Sequence, residues 1–116
     1  AFLAIAVGVA HSVLGERYIL IRLFRRPDLP KLFGGTEFTT RTLRFAWHLT
    51  SVAWWGCAAL FWYLARGSIS PSTTSGVLAA VFLPSAAVTL VASRGRHFAW
   101  AVFLIIGIIA LYGSQA

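Results

Sequence analysis

The chain has 116 residues, 59% hydrophobic and only 11% charged, whereas soluble domains average about 45–50% apolar and about 25% charged residues. A single unit of this size cannot bury that much apolar surface in water, which excludes an ordinary soluble domain and makes lipid the natural solvent. The net charge of +7 comes from nine Arg and one Lys against one Asp and two Glu; these cations stand between apolar runs, a placement that fits membrane orientation and anionic headgroups rather than nucleic acid.

The first apolar segment covers about residues 1–21 and contains no Met, so it is expected to extend upstream of Ala1. On a helical wheel the face of His11 also carries Ala4, Gly8, Gly15 and Tyr18. Small residues at that spacing admit close approach of another helix, or of a flat macrocycle. Glu16 falls on a different face, beneath Ser12.

Residues 22–44 form a basic loop, R-L-F-R-R-P-D-L-P-K-L-F-G-G-T-E-F-T-T-R-T-L-R. Pro27 and Pro30 forbid a continuous helix there, and Gly34-Gly35 permits a sharp bend. Leu23, Phe24, Leu29, Leu32, Phe33 and Phe38 interleave with cations, as in a segment lying on a membrane surface or a partner. Arg22, Arg25, Arg26, Lys31, Arg41 and Arg44 are the candidate contacts, each worth about 1 kcal/mol near an anionic leaflet.

The second segment spans 45–65, the length of a membrane crossing. His48 lies one turn inside Arg44, and Ser51, Trp55 and Trp62 continue its face. Cys57 is alone, which removes disulfides and thiolate metal clusters and suggests a small buried core residue. An uncharged connector, G-S-I-S-P-S-T-T-S, follows Arg66. The third segment, 76–92, contains Pro84, which is expected to kink it near Leu83 and free the Ala80 carbonyl. The turn R-G-R, with Arg94 and Arg96, leads to the fourth segment at 97–113, with His97 at its start. The echo F-A-W at 45–47 and 98–100 is read as convergent interfacial anchoring.

Continuous apolar runs, without alternation, exclude a membrane barrel and leave helices. The expected fold is all-α: an integral membrane bundle of four transmembrane helices in a single domain, 1–116, with a kinked third helix. Basic loops stay in the cytoplasm, so both termini face outward across a bacterial-type inner membrane.

That topology gathers His11, His48, His97 and Glu16 at the inner level of the membrane, where ionisable groups face the bundle and pair. They can serve as hydrogen-bonding glue between helices. His11 and His48 can instead be cofactor ligands, axial to haem or a chlorophyll-type pigment walled by tryptophans. His11, His48, Glu16 and His97 can also hold a metal ion or a quinone headgroup, although no tight ligand spacing such as H-x-x-x-H occurs. There is no G-x-S-x-G, P-loop or G-x-G-x-x-G, and one membrane carboxylate is too few for a stand-alone pump. The leading expectation is a small, non-catalytic accessory subunit packing against other membrane protein subunits, with its basic loop on anionic lipid headgroups. A haem- or pigment-binding protein is the alternative, and a metal- or quinone-binding membrane enzyme the third.

Overall fold

In the computed structural model, which describes residues 1–115, the protein is all-helical, with no strand among the described residues. Four rods follow in order: α1 at Phe2–Leu23, α2 at Glu37–Ala65, α3 at Pro71–Ser93 and α4 at Ala99–Gly113. Two of them, α1 and α3, are long and apolar enough to cross a membrane. Rod α4 is apolar but has only 15 residues. Rod α2 has 29 residues, yet it is not among the two, because Trp47, His48, Thr50, Ser51, Trp54, Trp55 and Trp62 lower its mean hydropathy.

Local chemistry moves several boundaries from their expected places. Rod α2 starts at Glu37 rather than 45, so the last eight residues of the expected basic loop are helical. Glu37 sits in its first turn and pairs with Arg41 one turn on, at 2.9 Å, the favourable order of charges along a helix. Rod α3 starts at Pro71, inside the expected connector. There the Ser70 hydroxyl accepts the Thr73 N–H at 3.1 Å while the Thr73 hydroxyl accepts the Ser70 N–H at 2.7 Å, a reciprocal cap with proline at the first helical position. Rod α4 begins at Ala99 rather than 97, because the His97 ring nitrogen Nδ1 accepts the Ala99 N–H at 3.3 Å and caps the helix from outside.

Each helix packs on its neighbour in the chain and on no other: α1 on α2, α2 on α3, α3 on α4. The result is an open row of 51 × 29 × 14 Å, where a closed bundle would bring α1 against α4. Side chains of one helix seat on glycines of the next. A Cβ on Gly107 of α4 would lie 2.6 Å from the Leu83 side chain and 3.1 Å from its backbone nitrogen, so α4 rides close to α3 one residue before Pro84. Gly56 of α2 receives Val81 of α3 in the same way.

The helices alternate in direction, and their joined ends show it. At one end Arg44 meets Glu16, Arg41 donates to the Ala92 carbonyl at 3.3 Å, Arg94 reaches Glu37 at 3.6 Å and Phe38 stacks on His97. At the other end the Ser72 hydroxyl donates to the Ser114 carbonyl. All the cationic side chains except Arg66 therefore collect at one end of the row.

The distribution of side chains is inverted relative to a water-soluble protein. Buried positions include Ser51, Ser85, Thr89 and Ser93, beside Leu20, Phe45, Val77 and the small Ala58, Ala79 and Ala86. The exterior carries Phe2, Leu3, Val13, Phe61, Leu64, Val91, Phe98, Val102, Ile105 and Ile109. Cys57, expected in the core, is exposed: it lies between the two buried positions Gly56 and Ala58 and so points outward from the helix. The F-A-W echo also separates, since Phe45 is buried and Phe98 is exposed.

Candidate functional site

The seam between α1 and α2 brings together polar side chains of both helices. Indole groups of α2 close it. The Trp55 N–H donates to the Ile5 carbonyl at 3.3 Å, and the Trp47 N–H donates to the His11 carbonyl at 3.0 Å. Both indoles lie over glycines of α1: a Cβ on Gly8 would stand 2.5 Å from the Trp55 nitrogen, and one on Gly15 would clash with Trp47. Trp47 was expected at an interface; it is instead a latch on the neighbouring backbone.

Just beyond that latch α1 widens. Residues Gly15–Leu20 form a π-helical turn with i→i+5 hydrogen bonds. The extra residue changes which side chains turn inward. Gly15 and Leu20, five apart, are buried, with Leu20 only 2% exposed, while Tyr18 is 48% exposed. The simple wheel placed Tyr18 on the face of His11, and the two line one cavity, although Tyr18 stays half exposed.

On one side of the seam lies a directed polar chain. Ser51 and Ser12 hydroxyls are 2.8 Å apart, the Ser12 hydroxyl is 3.0 Å from His48 Nδ1, and His48 Nε2 is 3.4 Å from a Glu16 oxygen. Arg44 grips the same carboxylate with two nitrogens, at 3.2 and 3.0 Å. A carboxylate only accepts, so His48 Nε2 carries the proton and donates to Glu16. In the neutral ring its Nδ1 accepts from Ser12, which then accepts from Ser51. Both imidazole nitrogens of His48 are thus engaged.

Ser12, His48 and Glu16 stand in the order nucleophile, base and acid. The order alone does not make a hydrolase. Ser12 sits inside α1, whose backbone N–H groups are taken by the helix, so no pair of free N–H donors stands beside it to hold an oxyanion.

His11 lies on the other side. Its ring stacks on Trp47 with centroids 4.4 Å apart and planes 4° apart, and Trp54 meets it edge-on at 4.9 Å. The Thr50 hydroxyl is 2.8 Å from His11 Nε2 and 2.6 Å from the Trp47 carbonyl. A carbonyl cannot donate, so the one hydroxyl proton of Thr50 goes there and Nε2 of His11 is the protonated nitrogen. Nδ1 makes no hydrogen bond among the described residues. The ring lines an open, apolar cavity of about 480 Å³ with Val7, Leu14, Tyr18, Ile19, Trp47 and Trp54.

The two histidines therefore do not face one space. His48 lines a separate cavity of about 390 Å³ between α2 and α3, with Arg41, Arg44, Phe45, Val88 and Ala92. Holding one macrocycle between His11 and His48 would require breaking the Thr50, Ser12 or Glu16 bonds and repacking Trp47. His97 stands apart from both, stacked on Phe38 and edge-on to Phe45. No group of three or more His, Cys, Asp or Glu among the described residues could hold a metal ion, so His11, His48, Glu16 and His97 are not brought together as a ligand set.

The basic-loop residues divide. Arg26 forms a two-pronged pair with Asp28, at 2.9 and 2.6 Å; Arg41 is held by Glu37 and Arg44 by Glu16. Arg22 lies over the Tyr18 ring, and Arg22, Arg25 and Lys31 have no carboxylate partner among the described residues. Arg17 and Arg96, which the loop boundaries had left out, belong to the same cationic end, over Tyr18 and Phe33 respectively. Between them the chain turns at Leu32–Gly35, where Phe33 and Gly34 both take positive φ (55° and 88°) and Phe33 is 73% exposed.

Comparison with protein-family models, with curated proteins and with solved structures gave no significant match.

Proposed function

We propose that this protein is a four-pass protein of a bacterial-type inner membrane, acting as a small non-catalytic accessory subunit of a larger membrane complex. The observation that carries the reading is the inverted distribution of side chains. Ser51, Ser85, Thr89 and Ser93 are buried between helices while Val, Ile, Leu and Phe cover the outside. In water that arrangement would leave the hydrophobic effect unused; in hydrocarbon, small residues let helices approach, and the Ser51, Ser85 and Ser93 hydroxyls are hydrogen-bonded, while that of Thr89 has no partner among the described residues.

Three further features support the subunit role. The row is open, so α1 and α4 each keep a long apolar flank with no intramolecular neighbour. A bend at Pro84, beside the close approach of Gly107 to Leu83, belongs to this reading as a shape feature of the row. The cationic end carries Arg22, Arg25 and Lys31 without acid partners, suited to anionic headgroups or to a partner's edge. With that end in the cytoplasm, both termini face outward.

The test is extraction of native membranes in a mild detergent followed by native electrophoresis and mass spectrometry. The subunit reading requires co-migration with other membrane proteins in fixed ratio. A chain that migrates alone from gently solubilised membranes would rule it out.

The pigment reading has less support, because both ring nitrogens of His48 are engaged, which leaves only Nδ1 of His11 as a ligand. An absorption spectrum of the same material decides it: a visible band lost in both His11→Ala and His48→Ala would restore it.

A further inference from the structure

The cavity at His11 combines features that a bare lipid groove does not have. Its volume of about 480 Å³ lies in the range of small-molecule sites, about 300–1,000 Å³. It is lined almost wholly by apolar atoms and open on the outer surface of the α1–α2 seam, so an occupant reaches it from the same medium that covers the helices. One wall is a tryptophan stacked on an imidazole, with a second tryptophan edge-on, an arrangement that favours a flat ring. Two polar atoms remain for that ring. In the neutral ring His11 Nδ1 is an acceptor, because Thr50 holds the proton on Nε2. Tyr18 also lines the cavity, and its hydroxyl makes no hydrogen bond among the described residues.

We propose that this cavity binds the head ring of a tailed hydroquinone, with one ring hydroxyl donating to His11 Nδ1 and the tail running along the apolar flank of α1. The assignment rests on the membrane placement of the chain. It is more specific than a ring of the right size. An oxidised quinone offers acceptors only, so it meets the Tyr18 hydroxyl but leaves Nδ1 unanswered, and an acceptor left without a donor in a dry site weakens binding. The site should therefore distinguish the reduced from the oxidised form of the same molecule. Arg17 and Arg22, stacked over Tyr18 at 5.5 and 6.0 Å, mark the charged edge of the wall and set the ring on the apolar side of it.

The experiment uses the full chain in lipid nanodiscs and a decyl-tailed benzohydroquinone with its matched quinone, kept in defined redox states. Binding is followed by calorimetry. The expected result is tighter binding of the hydroquinone by about fivefold to tenfold, the worth of one added hydrogen bond. Phe at position 11 (His11→Phe) keeps a ring on Trp47 and should abolish the preference. Thr50→Val, which leaves His11 in place but frees its tautomer, should shrink it. Equal affinity for both redox forms in the wild-type chain, a preference that survives His11→Phe, or equal displacement of the probe by phosphatidylglycerol would each overturn the proposal. Carbonate washing of the source membranes separates the two failures. Release of the chain by carbonate removes the membrane reading itself, whereas an integral chain with no redox preference removes only the hydroquinone site.

Discussion

His11 and Trp47 hold each other twice. Their rings lie parallel at 4.4 Å, and the Trp47 indole N–H bonds to the carbonyl oxygen of His11 itself at 3.0 Å. The contact is possible because Gly15, one turn on, has no side chain to block the indole.

Gly15→Ala is therefore expected to destabilise the α1–α2 seam by about 1–3 kcal/mol, the usual effect of overfilling a packed contact. Trp47→Phe keeps a ring but removes the donor, and should lower stability by about 1 kcal/mol. Thermal unfolding in a fixed detergent, followed by near-ultraviolet circular dichroism, reads both. A Gly15→Ala chain as stable as the wild type would mean that Trp47 does not sit on α1.

The Arg44–Glu16 pair joins α2 to the wide turn of α1 with Arg44 side chain 46% and Glu16 side chain 30% exposed. A double-mutant cycle with Glu16→Gln and Arg44→Gln should give a coupling energy of about 0.5–1 kcal/mol, as for a solvent-accessible pair. The single change Glu16→Gln should also disturb His48, which loses its acceptor charge; the imidazole resonances in NMR spectra would shift. No coupling and no shift would place Glu16 outside the polar chain.

Orientation is open to chemical labelling. In a Cys57→Ser background, a cysteine in place of Ser70 should react with a membrane-impermeant maleimide from outside intact cells. A cysteine in place of Gly34 should react only after lysis. The reverse pattern would invert the topology and put the cationic end outside.

The Asp28 carboxyl lies in the loop between α1 and α2, and the hydrogen bond from Arg26, followed by a backbone hydrogen bond of its own, holds its pKa below the ordinary aspartate value. A depressed folded pKa contributes stability that is present above the unfolded value and is lost as pH falls through the folded one. Carboxylate NMR should show the Asp28 midpoint below that of a model peptide, and Arg26→Gln should return it upward. The pair is fully exposed, so the loop, not the whole fold, should loosen at acid pH.

Much of the architecture could be read from residue order. Continuous apolar runs, punctuated by Arg-rich and Ser-rich stretches, are enough to announce an all-helical chain, and α1 and α3 emerge as apolar rods of spanning length. The ends were harder. The start of α3 depended on a reciprocal cap between Ser70 and Thr73, whose signal was present in S-P-S-T but looked like loop composition. The helical start of α2 at Glu37 was hidden because cations suggested a surface segment, although Glu37 and Arg41 four apart were a helix signal in plain view.

The histidines show what one-dimensional reading leaves out. That they share a level follows from topology. That His11 and His48 fall on opposite sides of one seam follows from side chains of another helix: Thr50 and Trp47 claim the first, Ser12 and Glu16 the second. Hydropathy leaves α2 outside the two rods of spanning length, since its tryptophans lower the mean. Cys57 turned outward because its neighbours on either side, Gly56 and Ala58, already fill the inward positions.

The widened turn at Gly15–Leu20 makes this helix sensitive to its own residue count. Everything after it is rotated by one extra amino acid, and only in that phase does Leu20 reach the interior while Ile19 stays outside. Removing a single codon within this stretch would let the turn rewind to 3.6 residues and swing the following arginines to a new bearing. A lesion that leaves composition and hydropathy almost untouched would thus re-aim Arg22 and the cations that follow it into the loop.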